Sequence, residues 1–323
     1  MELLNSPLRI ATRQSALALA QTKMAADAIA AAAGIAYELV PMTTEGDRRL
    51  DRSLASFGGK GVFIKELEVA LLEGRADIAV HSLKDMPAEV LPQFKLAAVL
   101  KREDPRDAFV ARGGVDGVKF MELPAGARIG TGSIRRVVQL KALRPDIEYV
   151  PIRGNIQTRL SKLEELDGVV LAAAGLKRMG LADRVTEYFD TDKVLPASGQ
   201  GILAIETLAG TSLECLAGVN DVPTYCIAVA EMAFLKALNA GCQFPVASFA
   251  EFDSPSGKNR FENDSQIQNG SQNLKIRGIY WDEKSGRLLK VRAQGAIDVA
   301  SSDACAQARE LGVTLAEKIK KEL

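Results

Sequence analysis

The chain has one histidine, one tryptophan and four cysteines in 323 residues. A single histidine, with no Cys-x-x-Cys pair among Cys215, Cys226, Cys242 and Cys305, leaves no zinc-type donor set, so no metal site is expected. The same sparse cysteines exclude a disulfide framework and fit a reducing cytoplasm. Net charge is missing too, since 41 basic residues balance 41 acidic ones, and only 5% of residues are aromatic. A general nucleic-acid binder needs a basic face, and a base-stacking platform needs aromatic rings; neither is expected here. No apolar run approaches the ~20 residues of a membrane span. Met1–Asn5 also lacks the basic-then-apolar pattern of a secretory leader. With 47% apolar and 25% charged residues, the composition is that of a soluble globular protein. The length predicts two or three domains.

What is present is a local gathering of positive charge. Between Arg128 and Arg184 there are 11 Lys/Arg against 6 Asp/Glu. Most of the excess sits on two turns, Gly130-Thr131-Gly132-Ser133-Ile134-Arg135-Arg136 and Arg153-Gly154-Asn155-Ile156-Gln157-Thr158-Arg159. Guanidinium forks pair bidentately with carboxylate or phosphate, and free backbone N–H groups at a helix start add to them. One such turn reads as well as a surface helix carrying solvated arginines; two turns in one unit favour a polyanion cradle over that reading.

Alternating strand and helix signals place these turns. Leu8–Thr12 reads as a buried strand. Ser15 caps a helix over Ala16–Ala33, which Gly34 ends, and Tyr37–Pro41 is the next strand. Residues 43–61 are polar and glycine-containing and read as a mobile loop; Phe63–Leu72 is helical and Asp77–His81 is a strand. A second unit follows, with a strand ending at Gly130, a helix over Ser133–Leu143, a strand over Ile147–Ile152, a helix from Asn155 to Leu166 and a strand over Gly168–Ala172. Such alternation predicts parallel sheets flanked by helices, with ligands beyond the carboxyl ends of the strands. A third region carries a helix over Tyr225–Leu238, a polar stretch at 253–273, a hairpin over Leu274–Ala296 and a closing helix over Ser302–Lys320.

Two more segments carry chemistry-bearing residues. His81-Ser82-Leu83-Lys84-Asp85-Met86-Pro87 puts a histidine, a hydroxyl, a lysine and a carboxylate at a strand end. Asp85 could hold a charged carboxylate in a cleft, or simply cap a turn. Cys242 lies between Gly241 and Gln243 in a turn closed by Pro245. It reads as a nucleophile or covalent attachment point, or as a small buried residue.

In their order and spacing these segments resemble one family over nearly the whole chain. The segments are Arg9-Ile10-Ala11-Thr12-Arg13-Gln14-Ser15, Gly58-Gly59-Lys60-Gly61-Val62-Phe63, His81–Asp85, Arg102-Glu103-Asp104-Pro105-Arg106-Asp107-Ala108-Phe109, both arginine turns, Ala174-Gly175-Leu176-Lys177-Arg178, Pro196-Ala197-Ser198-Gly199-Gln200-Gly201 and Gly241-Cys242-Gln243. The family is hydroxymethylbilane synthase, also called porphobilinogen deaminase. The resemblance implies a transferase of tetrapyrrole and haem biosynthesis. It condenses four porphobilinogen molecules head to tail, releases ammonia and frees linear hydroxymethylbilane by hydrolysis. It implies a dipyrromethane primer held by a thioether to Cys242, with Lys84, Ser133, Arg135 and Arg136 against it. Arg13, Ser15, Thr131, Arg153, Arg159, Arg178 and Gln200 would take the acetate and propionate groups of substrate and growing chain. Asp85 would be the catalytic carboxylate, and Lys60 and Phe63 would belong to a lid.

The implied fold is α/β: two periplasmic-binding-protein-like domains and a smaller α+β C-terminal domain. The expected boundaries are 1–103 with 199–220, then 104–198, then 221–323, in a cytoplasmic monomer with no nucleic-acid or membrane partner. The chain departs from the family in having Ala240 before Gly241 where Gly-Gly is common, and in its longer 253–273 segment. The competing reading is a non-enzymatic carboxylate-binding protein of the same two-domain type, which leaves Cys242 and Asp85 without roles.

Overall fold

The structure, a computed structural model, describes residues 6–44, 64–240, 244–253 and 270–323. The chain forms two compact units. One is Met1–Arg102 with Ile202–Tyr225, and the other is Glu103–Gly201 with Cys226–Leu323.

In the first unit β1 (Leu8–Arg13) leads into α1 (Ala16–Ala33). Ser15 Oγ accepts the Ala18 N–H at 3.3 Å, and Gly34 ends the helix in the left-handed conformation that favours glycine. β2 (Tyr37–Met42), α2 (Lys65–Leu72), β3 (Ile78–Ser82) and β4 (Phe94–Val99) follow. The sheet has the order β2-β1-β3-β10-β4, where β10 is Leu203–Leu208. Neighbouring residues of a strand point to opposite faces. Ile10, Ile78, Val80 and Ile205 therefore pack with Ala25, Ala26 and Ile29 of α1, while Ala11 and Ala79 pack with Leu67, Ala70 and Leu71 of α2. Covering both faces is why these strands read as unbroken apolar runs.

The second unit repeats the plan. β5 (Asp107–Ala111), β6 (Arg128–Gly130), α3 (Ile134–Leu143), β7 (Glu148–Val150), α4 (Ile156–Ser161), β8 (Gly168–Ala172), α5 (Ala173–Arg178) and β9 (Glu187–Tyr188) build a sheet of order β7-β6-β8-β5-β9. To this unit belong α6 (Val222–Ala237) from Cys226 onward, the antiparallel sheet β11 (Val246–Phe252), β12 (Ser271–Asp282) and β13 (Arg287–Asp298), and α7 (Ala304–Lys320). Gly278, mid-β12, has no room for a Cβ, because Phe234 of α6 and Leu315 of α7 both stand 2.9 Å from that point. Both helices therefore pack directly on the sheet.

The α/β class with a smaller sheet-and-helix C-terminal region is what the chain adopts. The expectation of parallel sheets needs correction, since both large sheets are mixed. β10 runs antiparallel to β3 and β4, and β5 runs antiparallel to β8 and β9. No crossover helix precedes β4, β5 or β10, so the strand–helix alternation that marked the strands before them was absent there. The helix expected from Asn155 to Leu166 stops at Ser161 and continues as a tighter 3₁₀ turn, Lys162–Glu164. Among the described residues no helix is long and apolar enough to cross a membrane.

Candidate active site

In the first unit β1 and β3 are parallel, so their carboxyl ends lie at the same sheet edge. β1 delivers Arg13 there, half-buried, and Ser15, already engaged as the α1 cap. β3 passes into a 3₁₀ turn, Leu83–Asp85. That turn is pinned by Leu83 N–H donating to the Ile202 carbonyl at 3.0 Å and Met86 N–H donating to Leu83 at 3.0 Å. Leu83 and Met86 are buried, Lys84 is half-buried and Asp85 is exposed. The turn thus anchors its apolar residues and leaves the carboxylate outside. His81 points elsewhere. Its Nε2 is 3.0 Å from Glu206 Oε2, and both side chains are buried, so the lone histidine is an internal partner of Glu206. Burial, with Glu206 nearby, pushes the Glu68 carboxyl up, against an opposing effect of His81.

In the second unit β6 is parallel to β7 and β8, so three carboxyl ends again share an edge. From β6 come Thr131 and Ser133, from β7 Arg153 and Arg159, and from β8 by way of α5, Arg178. The two arginine turns touch. Thr131 N–H donates to the Val150 carbonyl at 3.0 Å, and a Cβ on Gly132 would stand 2.6 Å from the Ile152 carbonyl oxygen. Only glycine allows that approach. Asn155 Oδ1 caps α4 by accepting the Thr158 N–H at 2.8 Å, and Arg159 Nε donates to the Gly154 carbonyl at 2.9 Å. Arg153 is exposed and Arg159 half-buried.

Arg135 and Arg136 sit differently. Both are buried on the first turn of α3, and both reach Asp107, at the start of β5. Arg135 Nη1 is 2.8 Å from Asp107 Oδ2 and donates to the Leu195 carbonyl at 2.5 Å. Arg136 donates to Asp107 Oδ1 through Nε and Nη2, at 3.0 and 2.8 Å, and through Nη1 to the Val170 carbonyl at 2.9 Å. Gln200 Nε2 donates to the same Oδ1 at 2.9 Å. Burial by itself would raise the Asp107 carboxyl, but the two guanidiniums overcome this and hold it well below the usual carboxylate range. Burial lowers Arg135. Sequence reasoning missed Asp107. It lies inside the Arg102–Phe109 segment, but no local signal says that it meets residues nearly thirty positions on.

Arg178 is the arginine with a donor to spare. Its Nη2 donates to the Gly201 carbonyl at 2.6 Å, while its Nε is buried without a hydrogen-bond partner. Burial depresses this guanidinium to about 10, against a raising effect of Glu103. A carboxylate brought to Nε would satisfy the donor and offset the cost of burying the charge. The residues present therefore fit an anionic organic group. Cys242, Lys60 and Phe63 lie outside the described residues.

The family model described as the porphobilinogen deaminase dipyromethane cofactor binding domain matches residues 8–213, and that of the porphobilinogen deaminase C-terminal domain matches residues 225–321. The chain belongs to the porphobilinogen deaminase family. The porphobilinogen deaminase of Syntrophotalea carbinolica is 42% identical over 98% of this chain and 95% of its own. That of Syntrophus aciditrophicus is 44% identical over 97% and 94%. Among solved structures the methionine binding protein MetQ is similar over 66% of this chain and 87% of its own, at 12% identity and a TM-score of 0.41, too distant to bear on function. Membership in the porphobilinogen deaminase family makes the chain a transferase and a dipyrromethane-binding protein, and disfavours the non-enzymatic reading.

Proposed function

We propose that this protein condenses four porphobilinogen molecules head to tail onto a dipyrromethane primer joined to Cys242, then releases hydroxymethylbilane by hydrolysis. The observation that carries the site assignment is the buried, unpartnered Arg178 Nε, in the same unit as the carboxyl edge from which Thr131, Ser133, Arg153 and Arg159 come. Each pyrrole carries an acetate and a propionate, so the growing chain gains charge with every unit. In the second unit Arg153, Arg159 and Arg178 pair with those carboxylates, with Thr131 and Ser133 as hydroxyl donors; Arg13, Lys84 and Ser15 are the cations and the hydroxyl that the first unit offers to such groups. Arg135, Arg136 and Gln200 reach the same ligand from their Asp107 network, where two cations against one carboxylate leave a net positive charge.

Bound primer supplies a nucleophilic pyrrole carbon and a tether. Asp85, exposed at the tip of its turn, accepts the pyrrole N–H groups. Its negative charge stabilises the cation that develops as ammonia leaves, and its carboxylate takes up and returns the proton. We place the domain boundaries at 1–103 with 199–220, 104–198 and 221–323, and the protein in the cytoplasm as a monomer.

Intact mass of the purified protein tests the assignment. The expected result is an excess equal to one dipyrromethane that disappears in Cys242→Ser. A folded, fully active protein of unmodified mass would overturn it.

A further inference from the structure

The helix α5 ends on two adjacent cations, Lys177 and Arg178, which are used in opposite ways. Arg178 donates through Nη2 to the Gly201 carbonyl at 2.6 Å and keeps its buried Nε without a hydrogen-bond partner. Lys177 is engaged with the protein's own carboxylates. Its Nζ stands 3.1 Å from Asp104 Oδ2 and 3.4 Å from Glu103 Oε1, and 6.0 Å from the centre of the Tyr188 ring on β9. Burial lowers Lys177 itself, and the Asp104 and Glu103 carboxylates more than offset it, so the ammonium is held above its ordinary value.

Glu103 is rooted beside Arg178. Its backbone N–H donates to the Gly201 carbonyl at 3.1 Å, the same oxygen that Arg178 Nη2 holds. Two donors on one oxygen are immediate neighbours, so a flexible glutamate side chain starts next to a guanidinium with an open donor. Such a donor favours any carboxylate that can reach it. The Glu103 carboxylate is turned elsewhere, because its Oε1 accepts the Asp104 N–H at 2.8 Å and pairs with Lys177. It acts on Arg178 through its charge at a distance: burial lowers the guanidinium and Glu103 opposes this. Asp104 depends less on Lys177. Its buried carboxylate also takes Arg106 Nε at 2.9 Å and Nη2 at 2.8 Å, and that guanidinium lies over the Tyr188 ring at 4.4 Å. Loss of the ammonium would leave Asp104 its arginine, and would leave Glu103 drawn to the cation beside it, Arg178.

We propose that Lys177 is a positioning residue for carboxylate recognition: by holding Glu103 it keeps an internal carboxylate off Arg178 Nε and leaves that donor open for a carboxylate of the substrate or growing chain. The inference rests on the assignment of Arg178 to those carboxylates. Lys177 acts through Glu103 and Arg178, with no ligand contact of its own.

The test is a double-mutant cycle on the purified full-length holoenzyme, read as KM for porphobilinogen and kcat for ammonia release. In Lys177→Met, which keeps an unbranched apolar stem, Glu103 competes with substrate for Arg178. KM is expected to rise about threefold or more, with kcat within about twofold of the parent. Glu103→Gln alone is expected to leave KM at the parent value, because Lys177 already holds that carboxylate. Combining Lys177→Met with Glu103→Gln restores the parent KM, since the competitor is gone. A lysine that only touched substrate or supported the fold would not be rescued by removing Glu103. Arg178→Gln separates this outcome from the assignment beneath it. A parent-like KM in Arg178→Gln removes the ligand contact and the proposal together. A raised KM in Arg178→Gln with a parent-like KM in Lys177→Met overturns the proposal alone, as does a raised KM in Lys177→Met that persists in the double variant. A Glu103→Gln change that lowers KM by one factor in both backgrounds also overturns it, because that is an additive effect of charge and not the release of a held carboxylate.

Discussion

Asp107 decides how the arginines of the second unit divide. It gathers Arg135, Arg136 and Gln200 around one buried carboxylate, while Arg178 keeps an unsatisfied Nε. Removing one member of a buried, paired network leaves a charge uncompensated and costs about 3–5 kcal/mol. Asp107→Asn is therefore expected to destabilise the protein by roughly that amount, read by urea unfolding at pH 7. The pH dependence has a definite sign. The folded carboxyl is held below its unfolded value of about 3.9, so its contribution is complete above that pH and is lost as pH falls below it towards the folded value. Acid unfolding of Asp107→Asn should accordingly lack part of the steep loss below about pH 4 that the parent protein shows. Asp85 is the opposite case. It is exposed and supports no buried network, so Asp85→Ala is expected to keep the parent's thermal midpoint and lose turnover. Near-normal ammonia release by that variant would remove Asp85 from its proposed role.

At the scale of elements, the strand-to-helix turns are where sequence and site meet. Leu8–Arg13, Gly168–Ala172 and α1 were legible because buried strands and a capped, alanine-rich helix carry their signals locally. Thr131, Ser133, Arg153 and Arg159 were legible as helix-start residues for the same reason. The contact between their two turns was not, because it depends on β6 and β7 lying side by side. Gly132 is the hinge of that contact. In Gly132→Ala the new methyl has only 2.6 Å to the Ile152 carbonyl oxygen, a backbone atom that cannot rotate away, so the turns must separate. A displacement on the order of 1 Å in substrate-positioning groups lowers rates by up to about a hundredfold. Steady-state assay of Gly132→Ala should show a fall of roughly tenfold to a hundredfold with the fold retained by circular dichroism. Parent-like kinetics would mean that the two turns do not act together.

The whole molecule adds a constraint of chain order. β10 sits between β3 and β4 in the first sheet, yet it is made only after the chain has passed through Glu103–Gly201. Without β10, β3 and β4 each lose a hydrogen-bonded neighbour, and Leu83 loses the carbonyl of Ile202 that pins the Asp85 turn. A chain ending at Gly201 is expected to leave unprotected in hydrogen exchange the amides of β4 and those of β3 that face β10, and full-length protein to protect them. Equal protection in both would show that the sheet closes without its inserted strand.

Residue chemistry and short-range periodicity determined by sequence alone that this is an α/β chain with arginine-bearing helix starts and an aspartate at a strand end. Those features depend on neighbours a few positions away. Only the tertiary structure decided that both sheets are mixed, that His81 belongs to Glu206 and that Asp107 binds two of the arginines. Each of these joins residues far apart in the chain. Their pairing is set by strand order and helix packing, which no local pattern encodes.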